Sequence, residues 1–252
     1  MKTNTNSYTI IYSVVLVVVV ALMLASVYQA LKPQQDANVM LDTQKQILYA
    51  LNQDRDMTNE EAAKLWQNLV EADDMIDANG NVVEAGKQGG TEAGFQHLNS
   101  AEAKDGKLVV FRCKVDGETK YVIPVYGNGL WGPISGFIAV NGDKTTVFGA
   151  YFNHEGETAG LGAEIKDSKK WQDLFKGKEL FANGDRDHVA LSVEKKVTDP
   201  KTQVDCVTGA TIPPTVWPTC SKPRKVACSP MLNSLMLSKK RWLYSVNKTK
   251  RL

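Results

Sequence analysis

Several functions are excluded by what this chain does not contain. It holds only four cysteines, Cys113, Cys206, Cys220 and Cys228, and three histidines. No two cysteines form a C-x-x-C pair, and no histidine stands at zinc spacing from them, so no structural zinc module is encoded. No G-x-G-x-x-G follows a strand-like run, which argues against a nicotinamide-binding Rossmann unit. No Ser-His-Asp or Cys-His arrangement can be assembled, and the carboxylates are scattered, which argues against a hydrolase. Excess charge is also missing: 30 basic side chains face 28 acidic ones. With no basic stripe or recognition helix there is no nucleic-acid signal.

Two stretches lack charge in informative ways. From Thr3 to Leu31 there is no charged side chain, and Ile10 to Val27 is almost wholly Ile, Val, Leu, Met and Ala. Such a run can cross a hydrocarbon core of ~30 Å. Tyr8, Tyr12 and Tyr28 stand near its ends, where amphipathic rings favour the interface. A secretory leader is the competing reading. The minimal charged n-region and the length of the apolar run favour an anchor over residues 1–32. Lys2 before the span and Lys32 after it leave orientation undecided by the positive-inside rule. The second stretch is 213–252, which contains no acidic residue at all.

Between them lies one domain, 33–212. Lys32-Pro33 punctuates the chain, and Asp42 to Asn52 has a helical face. Thr58-Asn59-Glu60-Glu61 is a capping box, predicting a helix to about Ile76 with Ala62, Leu65, Leu69 and Ala72 on one face. Asn79-Gly80 reads as a turn and Gly86 to Gly94 as a loop. Leu108–Cys113 and Tyr121–Tyr126 flank Asp116-Gly117, and Ile134–Val140 and Thr145–Phe152 flank Asn141-Gly142, which predicts two hairpins. Ser168 caps a short helix, Lys169 to Phe175, and Val189 to Val197 reads as a strand. The fold class is therefore α+β: one N-terminal transmembrane helix, then a domain with a twisted, mostly antiparallel sheet flanked by helices.

Three segments stand out in order along this domain. They are Tyr126-Gly127-Asn128-Gly129-Leu130-Trp131-Gly132, then His154 to Glu164 with its E-T-A-G-L-G core, then Asp205-Cys206-Val207-Thr208-Gly209-Ala210-Thr211. The last resembles the D-x-x-(S/T)-G-A-T segment of bacterial membrane redox subunits. Together, behind an apolar anchor, the three resemble the C-subunit family of the Na+-translocating NADH:quinone reductases. The resemblance runs from the anchor to about Ile212.

That resemblance implies an FMN-binding domain with the flavin phosphate esterified to Thr211. Gly209, lacking a Cβ, lets the backbone approach a phosphate, and Ala210 adds little bulk. Thr208 offers a hydroxyl and an amide to the phosphate, and Asp205 opens the motif. Gly129 belongs to a close-packed loop able to bring amides to a phosphate or ring edge. Trp131 either covers the isoalloxazine or caps the sheet as a core tryptophan. By resemblance, Glu157, Thr158, Leu161 and Gly162 line the flavin, with Thr158 and the Gly162 amide as donors. The residue-level alternatives are a solvated turn carboxylate for Glu157 and a surface histidine for His154. Ala159 stands where the family has proline, so this loop lacks one fixed φ.

The resemblance further implies a bacterial inner-membrane protein with a short cytoplasmic N-terminus and a periplasmic domain. Its partners are the other subunits of the complex, membrane lipid and a flavin transferase, with no nucleic acid. Electron carriage is the implied role; no catalytic residue or metal ligand is assigned, since the chemistry belongs to the cofactor. Two alternative functions remain, beside the reading that this particular chain is nonfunctional. One is the flavoprotein subunit of an ion-translocating ferredoxin:NAD reductase complex, disfavoured by the Y-G-x-G-L-W form and the His154 context. The other is a non-redox, membrane-anchored binding module.

The resemblance stops abruptly after Ile212. Pro213, Pro214, Pro218, Pro223 and Pro230 crowd a stretch without helical or strand period. With suitable codons, deletion of one nucleotide turns the family-like I-T-S-N-G-V-A-D-M-L-K-T into I-P-P-T-V-W-P-T-C-S-K-P, which is this chain from Ile212 to Pro223. Residues 213–252 therefore read as a frameshifted, disordered tail.

Overall fold

A computed structural model of the chain describes residues 6–77, 81–129, 131–182 and 189–207. The chain divides into two compact units, Met1–Thr43 and Gln44–Leu252. The first is formed by helix α1, Asn6–Ala50, whose last residues belong to the second unit. Its apolar stretch is long enough to cross a membrane. Pro33, expected to punctuate the chain, instead lies inside α1. Proline removes one ladder hydrogen bond, a local loss that the bonded turns on either side outlast. The helix expected from Asp42 is thus the end of α1, where Ile47, Leu48 and Ala50 are buried.

In the second unit, α2 (Asn59–Leu69) begins with the expected capping box. Thr58 Oγ1 accepts from the Glu61 amide at 3.3 Å, and Glu61 Oε2 accepts from the Thr58 amide at 2.8 Å. The helix ends at Leu69 rather than Ile76. Val70–Ile76 is strand β1, with Ala72, Asp73, Met75 and Ile76 buried. The reason is tertiary. Asp73 Oδ2 accepts from the amides of Ala93 (2.9 Å) and Phe95 (3.0 Å), and β1 pairs along its length with the strand Leu108–Val115. A helix there would leave those buried donors unmet.

The remaining elements are β2 (Val82–Glu84), a 3-10 turn (Gly94–His97), α3 (Ser100–Lys104), β3 (Leu108–Val115), β4 (Glu118–Asn128), β5 (Pro133–Val140), β6 (Val147–His154), α4 (Glu164–Asp167), α5 (Lys169–Asp173), β7 (Ser192–Glu194) and β8 (Gln203–Asp205). Strands β1 to β6 form one antiparallel sheet in the order β2-β1-β3-β4-β5-β6, while β7 and β8 pair in parallel. The Asp116-Gly117 hairpin forms as expected, with φ of 52° and 82°, the two positive values of a type I′ turn. The Asn141-Gly142 hairpin is wider than expected. Its strand begins at Val147 because Asp143 caps the amides of Thr145 and Thr146 and Lys144 takes φ 61°. The strand expected over Val189–Val197 is confined to Ser192–Glu194, the stretch that finds a partner in β8. The turn expected at Asn79-Gly80 lies outside the described residues.

Both faces of the sheet are covered. On one, Trp66 of α2, Phe95 and Phe111 pack edge to face with centroids 5.7–6.2 Å apart. Trp66 Nε1 donates to the Gly89 carbonyl, tying down the glycine-rich loop. On the other, Val110, Ile123, Ile138 and Phe152 pack with Phe175, Val193 and Val204. Burial of this apolar surface is the main driving force of the fold.

Candidate functional site

The site lies where β4, β5 and β6 meet their loops. The β4–β5 ladder runs to Asn128↔Pro133, so the intervening loop is tight, and the Gly129 amide donates to the Gly132 carbonyl at 2.7 Å. The β5–β6 register pairs Ile134 with His154, and the Glu155 amide donates to the Pro133 carbonyl at 3.2 Å. This places the loop after β6 against the loop before β5. The loops approach closely where they touch: a β-carbon at Gly156 would lie 3.0 Å from the Trp131 carbonyl oxygen, a tight contact.

Glu157 joins the two loops. Its Oε1 accepts from the Trp131 amide at 3.0 Å. Its own amide donates to His154 Nδ1 at 3.2 Å, which fixes the histidine proton on the other ring nitrogen. His154 is therefore a half-buried residue at the end of β6 rather than a free surface group. The Thr158 carbonyl accepts from the amides of Leu161 (3.1 Å) and Ala163 (3.0 Å), closing a turn in which Gly160 has φ +72°. Thr158 itself is exposed.

The third segment reaches the same place from β8. Trp171 Nε1 donates to the Asp205 carbonyl at 2.7 Å, and Val207 is buried against Ile134 and Ile165. Ile134 follows the first segment and Ile165 follows the second, so one small apolar cluster draws all three together. Asp205 is held here through its backbone, while its side chain is exposed. Thr208, Gly209, Ala210 and Thr211 lie outside the described residues, as do Leu130 and the whole of 213–252.

Between the second and third segments and α5 opens a cleft of about 580 Å³, lined among others by Gly160, Glu164, Lys170, Trp171, Asp205 and Val207. That volume falls in the ~300–1,000 Å³ range of small-molecule sites. Trp131 is 68% exposed and Leu161 44% exposed, so both offer apolar surface outward. The exposure of Trp131 rules out the core-tryptophan alternative. The cleft mixes charged and polar groups, Lys170, Glu164, Asp205 and Ser168, with the apolar surface of Trp171, Leu174 and Val207. Cys113 and Cys206 are both unbridged. Cys113 is buried in the sheet and its thiol is pushed well above the usual range by that burial. Cys206 is half-buried at the cleft.

Sequence reasoning misses Trp171, Lys170 and Glu164 as site residues. The signal lies in Ser168-Lys169-Lys170-Trp171, where the pattern by itself shows only a helix cap. That cap is observed, with Ser168 Oγ accepting from the Trp171 amide at 3.3 Å.

Comparison with known proteins converges on the same region. A family model described as FMN-binding domain matches residues 129–215. The chain is 36% identical over 220 residues to the C-subunit of the Na(+)-translocating NADH-quinone reductase of Haemophilus ducreyi, covering 82% of this chain and 84% of that protein. It is 30% identical over 231 residues to the protein of the same name from Pseudomonas aeruginosa, covering 83% and 87%. The crystal structure of the corresponding protein from Parabacteroides distasonis superposes with a TM-score of 0.62 at 33% identity, over 72% of this chain and 86% of that one.

Proposed function

This chain belongs to the C-subunit family of the Na(+)-translocating NADH-quinone reductases, and from that membership we propose that it is the electron-carrying flavoprotein of such a complex, with FMN esterified to Thr211. The observation that carries the reading is that the second and third segments line one cleft, while the apolar cluster of Ile134, Ile165 and Val207 ties them to the end of the first; the cleft wall leads through Asp205 and Val207 into the segment bearing Thr211. When bound, FMN supplies one-electron transfer, chemistry that no side chain of this chain provides.

The protein's part is to hold and orient. Trp171 fixes the Asp205 carbonyl and so the exit of β8. Val207 seats that exit on Ile134 and Ile165. Thr208 and the Gly209 and Ala210 amides stand next in the chain for the phosphate, Thr211 provides the ester oxygen, and Lys170 at the cleft offers a compensating cation. Gly129 and Trp131 on one loop and Thr158, Leu161 and Gly162 on the other, joined through Glu157, complete the proposed site, Trp131 and Leu161 with exposed apolar surface for the ring.

In this reading α1 anchors the chain in the bacterial inner membrane with the domain on the periplasmic side. Its neighbours are lipid, the other subunits of a sodium-pumping complex, and a flavin transferase that attaches FMN. Residues 213–252 are a frameshifted tail; the FMN-binding family match ends at 215, three residues past Ile212. The test is coexpression with a flavin transferase, followed by mass analysis of the tryptic peptide spanning Thr211. The expected result is one FMN adduct, less water, on Thr211, higher in a reading-frame-restored chain, and none in Thr211→Ala. An adduct that survives Thr211→Ala, or maps elsewhere, removes the assignment.

A further inference from the structure

We infer that Glu157 is a positioning residue: its carboxylate is spent inside the protein, clamping the loop of Trp131 to the loop of Leu161, rather than facing a ligand. The inference deepens the flavin reading and rests on it for the identity of what the two loops hold.

Three observations on separate residues agree. Oε1 accepts the Trp131 amide at 3.0 Å. A β-carbon at Gly129 would overlap that same Oε1 and lie 2.9 Å from the carboxyl carbon. A β-carbon at Gly162 would lie 2.6 Å from Oε2. The two oxygens therefore occupy the space of two missing side chains, one on each loop. Neither glycine has a positive φ, so any L-residue could adopt its backbone conformation. At both places a β-carbon would displace the carboxylate from its position rather than strain the backbone. Gly160 is the contrast: its φ is +72° and nothing lies within 4 Å of a β-carbon there.

The clamp has a functional result. Trp131 and Leu161 are the exposed apolar groups of the two loops. Fixing the Trp131 backbone to Glu157, four residues before Leu161, sets the spacing of two surfaces that would otherwise move independently. A preorganised gap of that kind lowers the ordering cost of taking up a flat ring.

The test is hydrogen–deuterium exchange of the Trp131 amide in the full chain in detergent, with the β3–β4 amides as internal reference for global folding. FMN attachment is read by intact mass on the same samples. A hydrogen bond to a charged acceptor should protect its donor roughly ten-fold or more. Glu157→Ala is expected to speed Trp131 exchange by about that factor, and Glu157→Gln, which keeps the acceptor, to stay within about three-fold of the parent. Gly129→Ala should loosen the loop in the parent but add nothing in the Glu157→Ala background, where its space has been cleared. Unchanged exchange in Glu157→Ala, or a full Gly129→Ala effect persisting without the carboxylate, overturns the clamp. Should Glu157→Ala lose the reference protection, the Gln variant and Gly129→Ala decide alone: fast exchange in Gln, or parental exchange in Gly129→Ala, overturns it. A parent chain that never takes up FMN counts against the flavin reading and leaves the exchange result standing.

Discussion

Replacing Trp171 with phenylalanine separates the two things its indole does. The ring packs against Phe152 at 5.7 Å and edge-on to Phe175 at 5.2 Å between centroids, while Nε1 donates to the Asp205 carbonyl at 2.7 Å. Phenylalanine keeps one aromatic ring against those neighbours and removes the donor. The hydrogen bond is exposed, so its loss is worth no more than about 1 kcal/mol, within the ~0.5–1.5 kcal/mol range for neutral pairs. For a domain of this size that lowers Tm by ~2–4 °C. Trp171→Ala removes the packing as well. Because Trp171 is only half-buried, the cost falls below the ~3–5 kcal/mol of a fully buried tryptophan, at about 2–3 kcal/mol. The assay is thermal unfolding of the full chain in detergent, with FMN attachment measured beside it. The phenylalanine variant should lose attachment out of proportion to its small drop in Tm, because the donor sets where β8 leaves the sheet. If Trp171→Phe melts like the parent and attaches FMN at the parental rate, the indole N–H has no positioning role. If it melts like Trp171→Ala, the division between ring and donor is wrong.

Asp73→Ala leaves the buried amides of Ala93 and Phe95 without an acceptor and should cost about 2–4 kcal/mol, read as a lower urea midpoint. Removing residues 1–31 takes away the apolar span and should give a domain that stays in the supernatant on ultracentrifugation without detergent; pelleting with membranes would reveal a second anchor. Acid should destabilise the domain through Asp143 and Asp199. Burial pushes Asp143 upward, but the amides of Thr145 and Thr146 and the Thr146 hydroxyl together hold its carboxyl below the usual range. The Thr202 hydroxyl and the Lys201 amide do the same for Asp199. A depressed folded-state pKa contributes stability above the unfolded value of ~4 and loses it as pH falls through the folded value, so urea midpoints should hold from about pH 7 to 5 and drop below about pH 4. Asp143→Asn should flatten that drop, and an unaltered acid limb in it would sink the assignment.

What can be read from the chain is local. Thr58 and Glu61 are three residues apart, and Asp116-Gly117 needs only its own φ preferences, so the capping box and the type I′ hairpin are legible. Val70–Ile76 has a helix-like pattern yet forms a strand, because its strand identity depends on β3 and on amides about twenty residues away. The E-A-D-D interior of that strand is as compatible with a helix as with a sheet. The three segments are legible as a set. The contacts that bind them, Glu157 to Trp131 and Trp171 to Asp205, span 26 and 34 residues and leave no trace in spacing. The exposure of Trp131 likewise follows from the tightness of a loop, which composition does not record.

The margin of the sheet at β6 has a consequence for the chain's behaviour in company. Asn52 Nδ2 donates to the Phe148 carbonyl at 2.8 Å, and the Val147 amide and carbonyl are taken by Lys178 and Gly177. A β-carbon at Gly149 would collide with the Ala50 carbonyl oxygen, so the chain leaving α1 is laid directly along this strand. The opposite margin, Val82–Glu84, is three residues long. A border covered at its Val147–Gly149 end on one side and a stub on the other leave a neighbouring molecule less to extend by strand addition. That is protection against edge-to-edge aggregation, and it comes from the segment where α1 ends.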